Sequence, residues 1–170
     1  LLKLVQKAYC DTSQLQAQLA NPLLWDRIRF RTNSNSPHRE MSDIWVRYAQ
    51  ELIAGPHTSQ WYEIARQIPE AKRLSEQVAN DYSGALGGVL ITKLPAGKVC
   101  YPHIDHGWHA RYYEKYALQV KGNEQQIFYV DKQELRTETG DLFWFDNSHI
   151  HGVLNPSNED RITMIICVRH

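Results

Sequence analysis

GVLITKLPAGKVCYPHID, residues 88–105, decides the fold. Two runs rich in β-branched and aromatic residues, GVLITKL (88–94) and VCYPHI (99–104), flank Pro95-Ala96-Gly97, a turn sequence that sends the chain back on itself. The same signature recurs downstream in YEKYALQV (113–120), QQIFYVD (125–131), DLFWFD (141–146), HGVLN (151–155) and RITMIICV (161–168). Gly122-Asn123, Thr139-Gly140 and Asn155-Pro156-Ser157-Asn158 supply turns between them. Seven short strands with turns at regular intervals predict a double-sheet jelly roll or barrel, the architecture used by cupins, with the jelly roll, a double-stranded β-helix, as the expected form. No glycine-rich phosphate loop leads from a strand into a helix, so a nucleotide-binding α/β fold has no support.

Upstream the pattern changes. Thr12 or Asp11 stands ready to cap LQAQLA (15–20), Thr58 or Ser59 to cap QWYEIARQI (60–68), and Pro69 precedes EAKRLSEQVAN (70–80), where a missing N–H costs little. RTNSNSPHREM (31–41) reads as a loop, and SDIWVRYA (42–49) as an edge strand in preference to a helical turn. The expected architecture is α+β but mainly β: one domain over 1–170, with a mainly helical flank (1–84) packed on one sheet of a jelly-roll core (85–170). Trp25, Trp45 and Trp61 are expected to pack the helices onto that sheet.

Composition bounds the rest. With 170 residues, 42% of them hydrophobic, the chain suffices for one buried core. Lys plus Arg equals Asp plus Glu at 19 each, so no overall field draws in nucleic acid or an acidic membrane. The opening LLKLVQKAYCD lacks the apolar stretch and cleavage site of a secretory signal. A soluble, cytoplasmic protein is expected, favoured as a monomer, whose native start lies upstream of Leu1. Cys10, Cys100 and Cys167 are odd in number and widely spaced, a pattern of buried free thiols rather than of a disulfide framework or a thiolate zinc site.

His103-Ile104-Asp105 carries the chemistry. In an extended strand residues i and i+2 share a face, so one imidazole and one carboxylate reach a common ion. A second imidazole completes the set that holds a ferrous ion on one side and leaves the other open. His149 and His151 are both candidates. His151 is preferred because it opens the apolar HGVLN run and precedes Arg161 by ten residues. Arg161 is placed to bind an acidic co-substrate, and Thr163 shares its strand face.

The stretch from VCYPHID to FWFDNSHIHGVLNPSNEDRITMIICVR resembles the catalytic core of the aspartyl/asparaginyl β-hydroxylase family of iron(II)- and 2-oxoglutarate-dependent oxygenases. Phe145-Asp146-Asn147-Ser148, followed by His151 and then Arg161, is its most specific part. The resemblance implies Fe(II), 2-oxoglutarate and O2 as cofactor and co-substrates, with His103, Asp105 and His151 as catalytic metal ligands. It gives Arg161 the far carboxylate of 2-oxoglutarate and makes Lys115 a second co-substrate contact. Ala117 departs from the pattern, standing where the animal members place a histidine. Those members also lack the acidic ligand that Asp105 supplies here, as in relatives that hydroxylate free amino acids. The implied reaction is hydroxylation of an unactivated C–H bond, of an amino acid or of an Asp/Asn-type residue in a protein, with release of succinate and CO2.

Trp108, His109, Arg111, Tyr113 and Arg39 are candidates for substrate contact, and Asp146 and Asn147 for orienting His151. A small molecule, peptide or protein is the expected partner; nucleic acid and membrane are not. Two other readings use the same residues: a metal-dependent cupin-like isomerase or hydrolase that needs no oxo acid, and a non-catalytic jelly-roll binding module.

Overall fold

The structure is a computed structural model and describes residues 2–6, 10–51 and 55–170. The chain opens with β1 (Leu2–Gln6), α1 (Ser13–Leu19), β2 (Ser42–Tyr48), the short β3 (Gln60–Trp61) and α2 (Pro69–Asp81). It continues through β4 (Ala85–Leu94), β5 (Val99–His103), α3 (Trp108–Tyr112), β6 (Glu114–Lys121), β7 (Ile127–Val130), β8 (Gln133–Arg136), β9 (Leu142–Phe145), β10 (His151–Leu154) and β11 (Arg161–Arg169). Two antiparallel sheets result, one in the order β1-β9-β6-β11-β4-β2-β3 and one in the order β5-β10-β7-β8. From β4 onward the strands alternate between the two sheets, with only β7 and β8 following one another in the same sheet, which is the double-stranded β-helix.

Strand alternation gives the larger sheet two different faces. On β11, Met164, Ile166 and Val168 join the cluster beneath α1 and α2, while Arg161, Thr163 and Ile165 turn into the space between the sheets. On β6, Tyr116, Leu118 and Val120 face the helices, whereas Lys115 and Ala117 face the gap. Helix α2 presents Ala71, Leu74, Ser75, Val78 and Ala79 to the sheet, an i, i+3, i+4, i+7 stripe, and each large apolar side chain buried there contributes about 1.5–3 kcal/mol. The helix ends in a Schellman turn: Gly84 N–H donates to Ala79 O at 2.9 Å and Ser83 N–H to Asn80 O at 2.9 Å, with Ser83 left-handed at φ 53°. Gly84 is required by packing, since a Cβ there would lie 2.2 Å from Val168 Cγ1.

Several expectations change. Residues 60–68 form no capped α-helix. Gln60–Trp61 pairs with β2, and only Glu63–Arg66 coils, as a 3₁₀ turn. The flank up to residue 84 carries, besides its helices, β1, β2 and β3, which extend the larger sheet. Strands β1 and β8 carry no strong apolar alternation and were not foreseen. Trp108–Tyr112, just before β6, is the short helix α3. Thr12 does stand at the start of α1, but its hydroxyl donates to Val120 O at 2.8 Å rather than capping the helix. Trp45 packs with Tyr48 and Ala49 in a separate cluster instead of under the helices.

The β10–β11 connection fixes Arg161 relative to His151. Asn155, 1% exposed, donates through Nδ2 to the carbonyls of Leu94, Pro95 and Glu159, and its Oδ1 accepts from the Ser157 hydroxyl at 2.7 Å. Asn155→Ala strands buried carbonyls and is expected to lower stability by about 2–4 kcal/mol. Denaturant unfolding checks this, and a loss below about 1 kcal/mol removes the turn from the set of structural determinants.

Candidate active site

Strands β5 and β10 lie side by side with His103 directly opposite His151. Each ring is fixed by its own strand end. His103 Nδ1 sits 2.7 Å from Tyr101 O, and His151 Nδ1 sits 2.9 Å from His149 O. A carbonyl only accepts, so each Nδ1 carries the proton and each Nε2 presents a lone pair to the gap. After β5 the chain turns at Gly107, φ 96°, into α3, and Asp105 N–H donates to Asn147 O at 3.2 Å. That bond holds the Asp105 carboxylate between the rings, 3.6 Å from His103 Nε2 and 3.7 Å from His151 Nε2.

The three donor atoms lie within 4.8 Å of one another. An ion about 2.1 Å from each donor spaces adjacent donors by about 3 Å, so this arrangement fits a divalent first-row ion with little movement. Burial pushes His151 down to about 4 and lowers His103, keeping both rings neutral as ligands must be. Burial alone would raise the Asp105 carboxyl, but the Lys115 ammonium in contact with it, aided by His151, holds it well below the usual carboxylate range. His38, Cys100 and His103 form a second cluster of donor atoms. It is the weaker one for an ion, because burial pushes the Cys100 thiol up to about 11 and a thiol binds metal as thiolate.

Behind the triad lies a cavity lined by His103, Asp105, Lys115, His151, Arg161 and Thr163, with Phe128, Phe143 and Phe145 as its apolar wall. Arg161 is 3% exposed. Its Nη1 donates to Thr163 Oγ1 at 2.8 Å, while Nε and Nη2 are buried with no partner among the described residues. Burial pushes the guanidinium down to about 10, still charged at neutral pH. An unpaired buried cation is costly unless an anion meets it, so the cavity is chemically incomplete by itself.

The remaining expected residues separate. His109 and Tyr113 pack together, ring centroids 4.5 Å apart, and His109 also lines a second cleft that reaches Asp105 and Lys115. Trp108 stacks on Tyr112 at 4.7 Å, and exposed Arg111 borders an outer groove with Tyr113. Arg39 instead lies over the Tyr101 ring at 3.5 Å, away from both cavities. His149 pairs with Asp131 at 2.9 Å near the surface. Asp146 is spent on Ser148, and Asn147 holds Asp105 and Ala110 O rather than His151. Sequence reasoning missed Arg31 and His38, which line both cavities from the loop before β2. No periodicity or spacing marks either of them.

A sequence model of the aspartyl/asparaginyl β-hydroxylase family matches residues 6–170. The chain belongs to that family. As an aspartyl/asparaginyl β-hydroxylase family member it is a 2-oxoglutarate-dependent hydroxylase that works with Fe(II), 2-oxoglutarate and O2. No curated protein matches it in sequence. Solved structures match in fold. A Trichoplax adhaerens prolyl hydroxylase, bound to a hypoxia inducible factor oxygen degradation domain peptide, superimposes with TM-score 0.64 at 12% identity, over 99% of this chain and 82% of its own. A Pseudomonas putida prolyl-4-hydroxylase gives 0.58 at 14%, over 97% and 91%. A viral collagen prolyl hydroxylase from Paramecium Bursaria Chlorella virus-1, in complex with 2OG, gives 0.57 at 11%, over 96% and 93%. At these identities the likeness shows the shared jelly-roll fold. No helix among the described residues is long and apolar enough to cross a membrane.

Four imidazoles in and around the site, His38, His103, His109 and His151, are held below the ordinary histidine value by burial, His109 at about 3 and His151 at about 4. The unfolded chain therefore takes up protons near pH 6.5 that the folded chain refuses. Metal-free protein is expected to lose stability as pH falls from about 6.5 toward about 4, which denaturation midpoints across that window measure. A flat profile there contradicts the burial of these rings.

Proposed function

We propose that His103, Asp105 and His151 hold Fe(II), that Arg161 and Thr163 grip the far carboxylate of 2-oxoglutarate with Lys115 nearby, and that the second cleft receives the substrate. The finer reading is hydroxylation of an amino acid, or of an Asp/Asn-type residue within a protein. The observation that carries it is Arg161: a buried guanidinium with two unpaired nitrogens, at the floor of a cavity whose rim is the His-Asp-His set.

Bound there, Fe(II) with 2-oxoglutarate and O2 supplies the oxidising power that hydroxylates an unactivated C–H bond, leaving succinate and CO2 as co-products. The chain's own residues supply positioning. Tyr101 O and His149 O fix both imidazoles in the tautomer that offers Nε2, and Asn147 O fixes the backbone at Asp105. Lys115 keeps the Asp105 carboxylate ionised and restrains its rotation. Arg161 offers a planar fork that a carboxylate meets with two parallel hydrogen bonds, a geometry an ammonium cannot copy. Phe128, Phe143 and Phe145 exclude water from the cavity, which strengthens that pairing. The second cleft opens beside Asp105, next to the proposed ion and outside the Arg161 cavity, as a separate substrate requires. A peptide substrate is the kind of ligand carried by the Trichoplax adhaerens structure.

Anaerobic addition of ferrous iron and then 2-oxoglutarate to the purified protein, followed by visible absorption, tests this reading. A charge-transfer band is expected in the wild type and none in His151→Ala. Arg161→Ala is expected to keep iron binding and weaken 2-oxoglutarate at least thirtyfold, about 2 kcal/mol or more for a buried charge-assisted pair. Arg161→Lys should recover only part of it. If iron binds in the wild type and no band follows, or if Arg161→Ala binds 2-oxoglutarate normally, the assignment fails.

A further inference from the structure

Arg31 stands in the wall shared by the two cavities. It is tied from behind by Asp43, whose side chain is fully buried: Arg31 Nε donates to Asp43 Oδ2 at 2.8 Å and Nη2 to Oδ1 at 3.1 Å. Both bonds lie on one edge of the guanidinium, leaving Nη1 without a protein partner among the described residues. The pair is thus a positioned donor rather than a closed salt bridge. Beside it, Trp45 is 9% exposed and its Nε1–H is buried and unpaired. His109 Nε2 is also unpaired, lying over Gly88, where an added Cβ would come within 3.1 Å of it. The second cleft is therefore walled by hydrogen-bonding groups that lack partners.

The charges around the two cavities have one sign in excess. Arg31, Lys115 and Arg161 are cations, against the carboxylates of Asp43 and Asp105. The double positive charge of Fe(II) and the double negative charge of 2-oxoglutarate cancel, so one positive charge remains uncompensated in a partly desolvated space, a costly condition that an anion relieves. Asp105 is the one carboxylate among the described residues lining either cavity, and Lys115 already occupies it. Nothing in the second cleft is left to neutralise an ammonium group.

We infer that Arg31 is a specificity-determining residue that binds a carboxylate of the substrate through its free Nη1 edge, and that the substrate carries this carboxylate without a charged amine beside it, as an acylated amino acid or a peptide does and a free amino acid does not. Trp45 and His109 supply the neighbouring contacts. This rests on the second cleft being the substrate site of the proposed oxygenase.

The test is anaerobic calorimetry on protein loaded with Fe(II) and 2-oxoglutarate, using N-acetyl amino acids, the matching N-acetyl amino amides and the free amino acids as probes. The wild type is expected to prefer the acid at least tenfold over both the amide and the free amino acid. In Arg31→Gln that acid-to-amide ratio falls to about one, and in Arg31→Lys it stays between, while the charge-transfer band is retained in both variants. A ratio is unaffected by partial loss of folded protein, so a purely structural role for Arg31 leaves it unchanged. Equal binding of acid and amide by the wild type, a ratio undiminished in Arg31→Gln, binding of free amino acids as tight as of acylated ones, or no binding of any acid overturns the inference with the oxygenase reading intact. Absence of the band in the wild type removes the oxygenase reading itself and this inference with it.

Discussion

The antiparallel register of β10 between β5 and β7 sets His103 opposite His151, and the site depends on that alignment. Side chains alternate along a strand, so a slip of one residue would turn His151 out of the gap and bring its neighbour in. The register is held on both sides of β10 and at its end. Val153 packs into the cluster between the sheets, Gly152 lies so close to Tyr129 that a Cβ would meet its hydroxyl at 2.5 Å, and Asn155 ties the following turn to Leu94 and Pro95. The apolar packing thus supplies the geometry, and the polar residues at the strand ends use it.

The larger sheet separates stability from chemistry by alternation. One face of β11 and β6 is closed by α1 and α2 over an apolar cluster. The other face carries Arg161, Thr163 and Lys115 into the gap, where the Lys115 ammonium meets the Asp105 carboxylate and the Arg161 guanidinium donates to the Thr163 hydroxyl. This division explains why a chain with no excess charge still builds a locally cationic cavity: its surface carboxylates are elsewhere, and few face the gap.

Much of this was legible beforehand. Strands β4 to β7 and β9 to β11 announce themselves by β-branched and aromatic runs between turn residues, because each is buried on at least one face. Strands β1, β3 and β8 do not. β3 is only two residues long and β8 is largely exposed, so backbone pairing rather than side-chain burial defines them. Residues 60–68 looked helical because Trp61, Ile64, Ala65 and Ile68 have helical spacing, yet the pairing of Gln60 and Trp61 with β2 prevailed. Tertiary context overrode local propensity there.

The sequence by itself determined the double-stranded β-helix, the HxD spacing at the end of a strand, a distal histidine and an arginine ten residues beyond it, because all of these are set by short-range periodicity and spacing; Asp105 itself lies just past β5, which ends at His103. Only the tertiary structure decided that His151 rather than His149 meets Asp105, that Asn147 steadies Asp105 rather than a histidine, and that Arg31 and His38 reach the site from a loop some seventy residues upstream. Each of those depends on which segments the sheets bring together, and contacts between segments distant in the chain leave no local pattern to read.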